Sequence, residues 1–262
     1  MSVAHTVRLW RLARLRLRSE EDYQRFQAFQ ACLLLQYLER HNVTVDGKVV
    51  ADLGSGIGGY SSELARRGAR VIALDLITPS HRPTWPQVSM VANALSIPLL
   101  DNTVDFVFCA SLIEHVADPG CLLAEISRIL VAGGRCYLSF PPFYSPRGGH
   151  EYAPFHLLGE SLAVRLVPPR RRRLKWEASP YKAREKPRAF SESYEGWGLY
   201  RMTVGKARSL ISASGLEILD MSTRYMPVSL IRWPVLGELL TWHAQFLLAK
   251  PKAAISTGAR PT

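Results

Sequence analysis

The 262 residues are 47% hydrophobic and 21% charged, enough for one well-filled domain with insertions. Four cysteines without a C-x-x-C spacing read as buried free thiols and not as a disulfide framework; no apolar run reaches the ~20 residues of a membrane span, and the N-terminus lacks the apolar stretch of a secretory signal, so a cytoplasmic protein is expected. A formal net charge of +11 favours anionic partners, and it concentrates in Arg8, Arg11, Arg14, Arg16 and Arg18 and again in Arg170–Arg173 with Lys175.

In residues 5–18 a helical pattern places Arg8, Arg11, Arg14 and Arg18 on one arc and Leu9, Trp10, Leu12, Ala13 and Leu17 on much of the other. Two readings are open: a helix lying on an anionic membrane surface, or a helix packed on its own domain with a solvated arginine face. Residues 20–41 form a second helical stretch with Phe26, Phe29, Leu33, Leu34 and Tyr37 on its apolar side. Residues 49–59, VVADLGSGIGG, then read as strand, glycine loop and the start of a helix over Tyr60–Arg67. Glycines let the chain turn tightly and approach a ligand, and the helix behind them directs its free N–H groups into the same space. A second strand, Val71–Leu74, ends in Asp75, about 20 residues after the first glycine, where an acidic side chain accepts both ribose hydroxyls. The unit is suited to hold a nucleoside. Gly54, Gly56 and Gly59 match the dinucleotide spacing G-x-G-x-x-G literally, but Asp52 beside the loop would repel a pyrophosphate, which disfavours an NAD-dependent oxidoreductase. The same carboxylate would attract an ammonium and a sulfonium.

At this point the chain resembles the class I S-adenosylmethionine-dependent methyltransferases, whose first motif is similar to Asp52-Leu-Gly-Ser-Gly-Ile-Gly. Later segments carry the likeness on: VSMVANALSIPL at 88–99 resembles the third strand and the D-A-x-x-L-P-F stretch, and VDFVFCASLIEHVADP at 104–119 the fourth strand and its loop, with Glu114-His115-Val116 and Asp118-Pro119 in place. LLAEISRILVAGGRCYLSFPP resembles a helix, a Gly-Gly turn and the fifth strand, so the likeness is close over residues 45–142 and loose beyond. It implies a doubly wound α/β fold: a mainly parallel seven-stranded sheet, the last strand antiparallel, with helices on both faces. S-adenosyl-L-methionine is the implied cofactor, held by Asp52, Gly54, Ser55, Gly56, Gly58, Asp75, Leu76, Asn93, Ala94, Ser111 and His115. Asn93 stands where many members have an acidic residue near the adenine amino group; its amide can accept from that group and donate to the ring. The helices of residues 1–44 are expected to cover the cofactor cleft, ahead of a catalytic domain over 45–250 and a frayed tail over 251–262.

Clean alternation of strands and helices runs from Lys48 to Pro142 and stops there. Residues 143–200 are rich in Pro, Gly, Arg and aromatics, and so long a connection reads as a functional insertion on the acceptor side. Its first part, PPFYSPRGGHEYAPFHLLGE, resembles methyltransferases of bacterial envelope sugar and lipid metabolism through an S-P-x-G-G-H…P-x-H-x-L-G pattern. His150, Glu151 and His156 are the candidate catalytic residues for acid–base work on a hydroxyl, and Tyr144 and Arg147 the candidates for holding the acceptor. A metal site from His150, Glu151 and His156 was weighed, but their spacing is not diagnostic and no metal is expected. The run Arg170–Arg173 has only Trp176 near it, which disfavours nucleic acid. An apolar stretch at 229–242 tilts the reading towards a lipid-linked acceptor and peripheral contact with an anionic membrane. The expected activity is O-methylation of a sugar or lipid-linked hydroxyl, with His150 as base. The rivals are N- or C-methylation of nucleic acid or a small molecule, and a cofactor-binding protein without catalysis.

Overall fold

A computed structural model describes residues 3–16, 18–77, 88–167, 188–193, 198–226 and 228–252. Seven strands form its centre: β1 (Val49–Leu53), β2 (Arg70–Asp75), β3 (Val88–Val91), β4 (Val104–Ala110), β5 (Leu130–Phe140), β6 (Glu217–Thr223) and β7 (Ala244–Ala249). Their order is β3-β2-β1-β4-β5-β7-β6. The first five run parallel, while β7 pairs antiparallel with both β5 and β6, in line with the expected architecture. Central strands covered on both faces carry continuous apolar runs, and β1, β4 and β7 have them.

Among the described residues seven α-helices accompany the sheet: α1 (Val3–Leu15), α2 (Glu20–Arg40), α3 (Gly59–Arg66), α4 (Pro119–Ile129), α5 (Glu160–Leu166), α6 (Val204–Ala213) and α7 (Leu236–Leu240). Local chemistry sets several starts. Ser19, Asp118 and Thr203 each accept a hydrogen bond from a backbone N–H of the first turn they precede, and Pro119 opens α4 where no N–H is needed. One sheet face is covered by α4 and α6 through Leu122, Ile126, Ile129 and Ile211. The other is covered by α2 and α3 through Leu34, Leu35, Leu38 and Leu64, against Phe106, Phe108 and Tyr137.

Of the two readings of the arginine helix, the structure shows α1 packed on its own domain. Leu9 is buried, and the Arg8 guanidinium lies 4.7 Å from the ring centre of Phe29 on α2. The insertion after β5 holds two short 3-10 turns, His150–Tyr152 and Phe155–Leu158, then α5, around a small core of Phe143, Tyr152, Val164 and Phe190. The run Arg170–Arg173, Lys175 and Trp176, and the tail from residue 253 on, lie outside the described residues. Among the described residues no helix is long and apolar enough to cross a membrane.

Arg128 ties the segment after β3 to α4. It donates to the carbonyls of Ile97 and Leu99, both at 2.8 Å, and pairs with Glu125 and Asp101 at 2.7 Å. Arg128→Met would remove the side-chain donor to the Leu99 carbonyl, leave Ile97 O with the Leu99 N–H alone, and is expected to lower unfolding free energy by about 1–3 kcal/mol in urea titrations.

Candidate cofactor and acceptor site

Strand order reverses at β1: β2 and β3 lie to one side, β4 and β5 to the other. A crevice opens beyond the carboxyl ends at such a switch point. Here it is a cavity of about 900 Å³, lined by the glycine loop, the ends of β2 and β4, the segments after β3 and β5, and residues of α1 and α2.

The cofactor half is built from backbone. Gly54 and Gly56 have φ of +71° and +55°, conformations that side chains rarely adopt, and both line the cavity. Asp75 accepts from the Gly56 N–H at 2.8 Å through one oxygen and from the Ile77 N–H at 3.1 Å through the other. Its carboxylate is thereby pinned at the cavity edge with lone pairs still open. Leu76, Ala94, Ser111 and His115 also line the space. Asn93 lines it too, but its side-chain oxygen accepts from Leu95 N–H at 2.9 Å, so the amide N–H₂ is the group left to face a ligand.

Three of the expected cofactor residues do not line the cavity. Asp52 is buried and accepts a hydrogen bond from the Ser61 hydroxyl, so its carboxyl is folded against the first turns of α3. Burial, assisted by the charge of Asp75, pushes that carboxyl up to about 7. Ser55 turns inward, its N–H donating to Leu74 O at 3.1 Å, and Gly58 caps α3 at φ +80°.

The acceptor half lies beyond β4 and β5. Arg147, His150 and Glu151 line the cavity. His150 has φ +48°, and its Nε2 stands 3.7 Å from Glu114 Oε1. Glu114 is 2% exposed, and neither carboxylate oxygen has a hydrogen-bond partner. Burial therefore pushes its carboxyl up, opposed by His150. His115 donates through Nδ1 to Gly198 O at 2.8 Å, and burial, then the charge of His150, holds its imidazole well below the ordinary histidine range. The edge of one of these two rings meets the face of the other at 4.8 Å. One ligand atom from each of Glu114, His115 and His150 falls within 4.8 Å of the others. These three, and not His150, Glu151 and His156, are the donor set the fold gathers.

His156 and Tyr144 do not line the cavity. The His156 ring is buried, donates to Phe143 O at 2.8 Å and packs under the turn before His150; a methyl group on Gly149 would lie 2.2 Å from it. It supports the turn, which is a correction to its expected catalytic part. Tyr144 stacks edgewise on Phe143 with the Arg201 guanidinium over its ring.

Residues 51–138 match the methyltransferase domain family model. An uncharacterized methyltransferase of Mycobacterium avium is 27% identical over 221 residues, covering 79% of each chain. Another, from Mycobacteroides abscessus, is 31% identical over 137 residues, 48% of this chain and 52% of that one. Over residues 51–138 this chain is therefore similar to methyltransferase domains. It spans about half the length of several curated relatives that it matches. An S-adenosylmethionine-dependent methyltransferase from Mesorhizobium loti shares the fold, with a TM-score of 0.55 over 83% of this chain and 97% of that one at 18% identity.

The cavity fits S-adenosylmethionine. An acidic group at the end of β2 suits a ribose, the left-handed glycines leave room for close approach, and the half-exposed Leu76 offers an apolar surface. Sequence reasoning missed Glu114 as a site residue, although it stands in the quoted Glu114-His115-Val116 motif. It also missed Arg16, Arg224 and Trp242, whose place on the cavity wall depends on segments far apart in the chain. Asp75→Ala should weaken binding of S-adenosylhomocysteine by about 1–3 kcal/mol in calorimetry, and NAD should give no binding heat. Unchanged affinity in the variant would place the ribose elsewhere.

Proposed function

We propose that this methyltransferase methylates a hydroxyl of a sugar or lipid-linked acceptor, with His150 as proton acceptor and Glu114 as its orienting partner. The Glu114–His150 pair on the acceptor side of the cavity carries this reading. S-adenosylmethionine, when bound, supplies an electrophilic methyl group. The chain must align a nucleophile with it and remove a proton, and alignment alone accounts for much of such an acceleration. His150 is suited to the second task. With Nε2 standing 3.7 Å from the Glu114 carboxyl, that nitrogen is the one favoured to carry the ring proton, which leaves Nδ1 to take the hydroxyl proton. The imidazolium that forms then faces a carboxylate, and Glu114, disfavoured as a lone buried charge, gains a cationic partner in that state. His115, held neutral by burial and tied to Gly198, forms the wall beside them.

The lipid-linked form of the acceptor draws support from the surface near the cavity. Trp242 lines it and touches Trp10 of α1 at 6.2 Å between ring centres. The segment leading to Trp242 exposes Trp233, Val235, Leu236 and Leu239, close in sequence to that contact. An exposed apolar set next to a basic helix suits an anionic lipid surface.

His150→Ala is expected to lower turnover by about 10²-fold or more with little change in cofactor affinity. Glu114→Gln removes the carboxylate that faces the imidazolium formed in the reaction, and should lower turnover by about 10-fold. A His150→Ala enzyme of near-normal turnover would remove the histidine from the reaction.

Because α1 lines the cavity, deleting it would disturb cofactor binding as well as any membrane contact, so the surface reading is better tested elsewhere. The double substitution Trp233→Ser, Val235→Ser should reduce cosedimentation with phosphatidylglycerol vesicles and leave S-adenosylhomocysteine affinity intact. Equal sedimentation of parent and variant would count against it.

A further inference from the structure

Three guanidinium groups reach the cavity from distant parts of the chain: Arg16 at the end of α1, Arg147 in the loop after β5, and Arg224 just after β6. Among the described residues none of them pairs with a carboxylate. Arg16 donates to the Ala13 carbonyl and lies 5.5 Å from the ring centre of Phe26. Arg147 lies 5.3 Å over Trp242. Arg224 donates to the Tyr60 hydroxyl at 2.7 Å and lies 5.2 Å over Tyr225. Aromatic faces and neutral oxygens thus hold all three in place without cancelling their charge. The Arg16 guanidinium is lowered from its ordinary range by burial, and next by the charge of Arg147.

The cofactor does not remove this excess. S-adenosylmethionine carries one carboxylate against an ammonium and a sulfonium, so its binding adds positive charge. Its carboxylate can take up one arginine at most in a bidentate pair. Of the acidic residues lining the cavity, Asp75 is committed to backbone N–H groups at the glycine loop, and Glu151 carries interactions of its own.

We propose that the methyl acceptor carries an oxyanion, a carboxylate or a phosphate, bound between Arg16, Arg147 and Arg224. This rests on the methyl-transfer reading and names the acceptor's charged group. Planar guanidinium forks match both oxyanions bidentately, and a cavity that excludes bulk water strengthens the attraction. A sugar phosphate, a phospholipid-linked glycan and a hydroxy acid would each present such a group beside a hydroxyl, in the cavity that His150 also lines.

The test is calorimetric titration of the full chain saturated with S-adenosylhomocysteine, using inorganic phosphate in one series and acetate in another, at constant ionic strength. Saturable binding is expected for at least one anion, and the tighter of the two identifies the chemical source. Arg16→Gln and Arg147→Gln should each weaken it by about 10-fold, and Arg147→Lys should retain part of it. Affinity for S-adenosylhomocysteine should stay within about 2-fold of the parent in all three variants. No saturable binding of either anion, or binding untouched by both glutamine variants, would overturn the proposal. A loss of S-adenosylhomocysteine affinity in the variants would overturn it too, by assigning the arginines to the cofactor's carboxylate. Failure of the parent to bind S-adenosylhomocysteine would instead strike the methyl-transfer reading. Titration of phosphate and acetate into the protein alone would then still decide whether the arginines hold an oxyanion.

Discussion

A parallel sheet can wind outward from its first strand in two directions, and this chain does so at β1. The crossover through α3 leads to β2 on one side, while β4 docks on the other. Helices entering on opposite faces cannot close the gap above the β1 and β4 ends, and the cavity is that gap. Every functional proposal for this protein depends on the constraint, because it brings the loops after β1, β2, β4 and β5 to one opening. Apolar strands buried on both faces make the arrangement rigid, and the antiparallel β7 extends the same edge so that Trp242 and His243 emerge beside the acceptor loops.

Within the opening, burial assigns different work to similar groups. Asp52, Asp75 and Glu114 are three carboxylates near one cavity. Asp75 is satisfied by backbone N–H groups at the rim. Asp52 is buried against a serine hydroxyl and is pushed up to about 7. The Glu114 carboxyl has no hydrogen-bond partner among the described residues and faces His150 across 3.7 Å. A carboxyl left so incompletely satisfied costs folding free energy, which suits a group that acts when a cation forms next to it. The turn that presents His150 relies on Gly149, since any side chain there would collide with the His156 ring beneath. Two histidines six residues apart therefore do opposite things, one opening to the cavity and one wedged under it.

Charge is distributed with the same economy. The sequence is strongly basic, yet the arginines that matter to the cavity are scattered among many that face solvent. Arg16 directly follows α1 and stands outside the arc of Arg8, Arg11, Arg14 and Arg18, and only the packing of α1 on α2 brings it to the cavity. Arg224 has no basic neighbour in sequence within two residues on either side, and gains meaning only from Tyr60 and Tyr225 around it.

The sequence by itself determined the order of strands and helices from Lys48 to Pro142 and the nucleoside-binding character of the glycine loop with Asp75. These follow from hydrophobic period, from glycine's access to left-handed backbone and from the spacing of one carboxylate, all local properties. It also marked the segment after β5 as the acceptor side, through its length and its loss of periodicity. What it left undetermined was direction. Motif spacing places a side chain near a site, but a one-residue difference in backbone angle turns it inward or outward, as Asp52, Ser55, His156 and Tyr144 demonstrate. Glu114, Arg16 and Arg224 became site residues only when segments distant in the chain packed together, because the burial and pairing that define their chemistry are properties of the folded neighbourhood and are written in no single stretch.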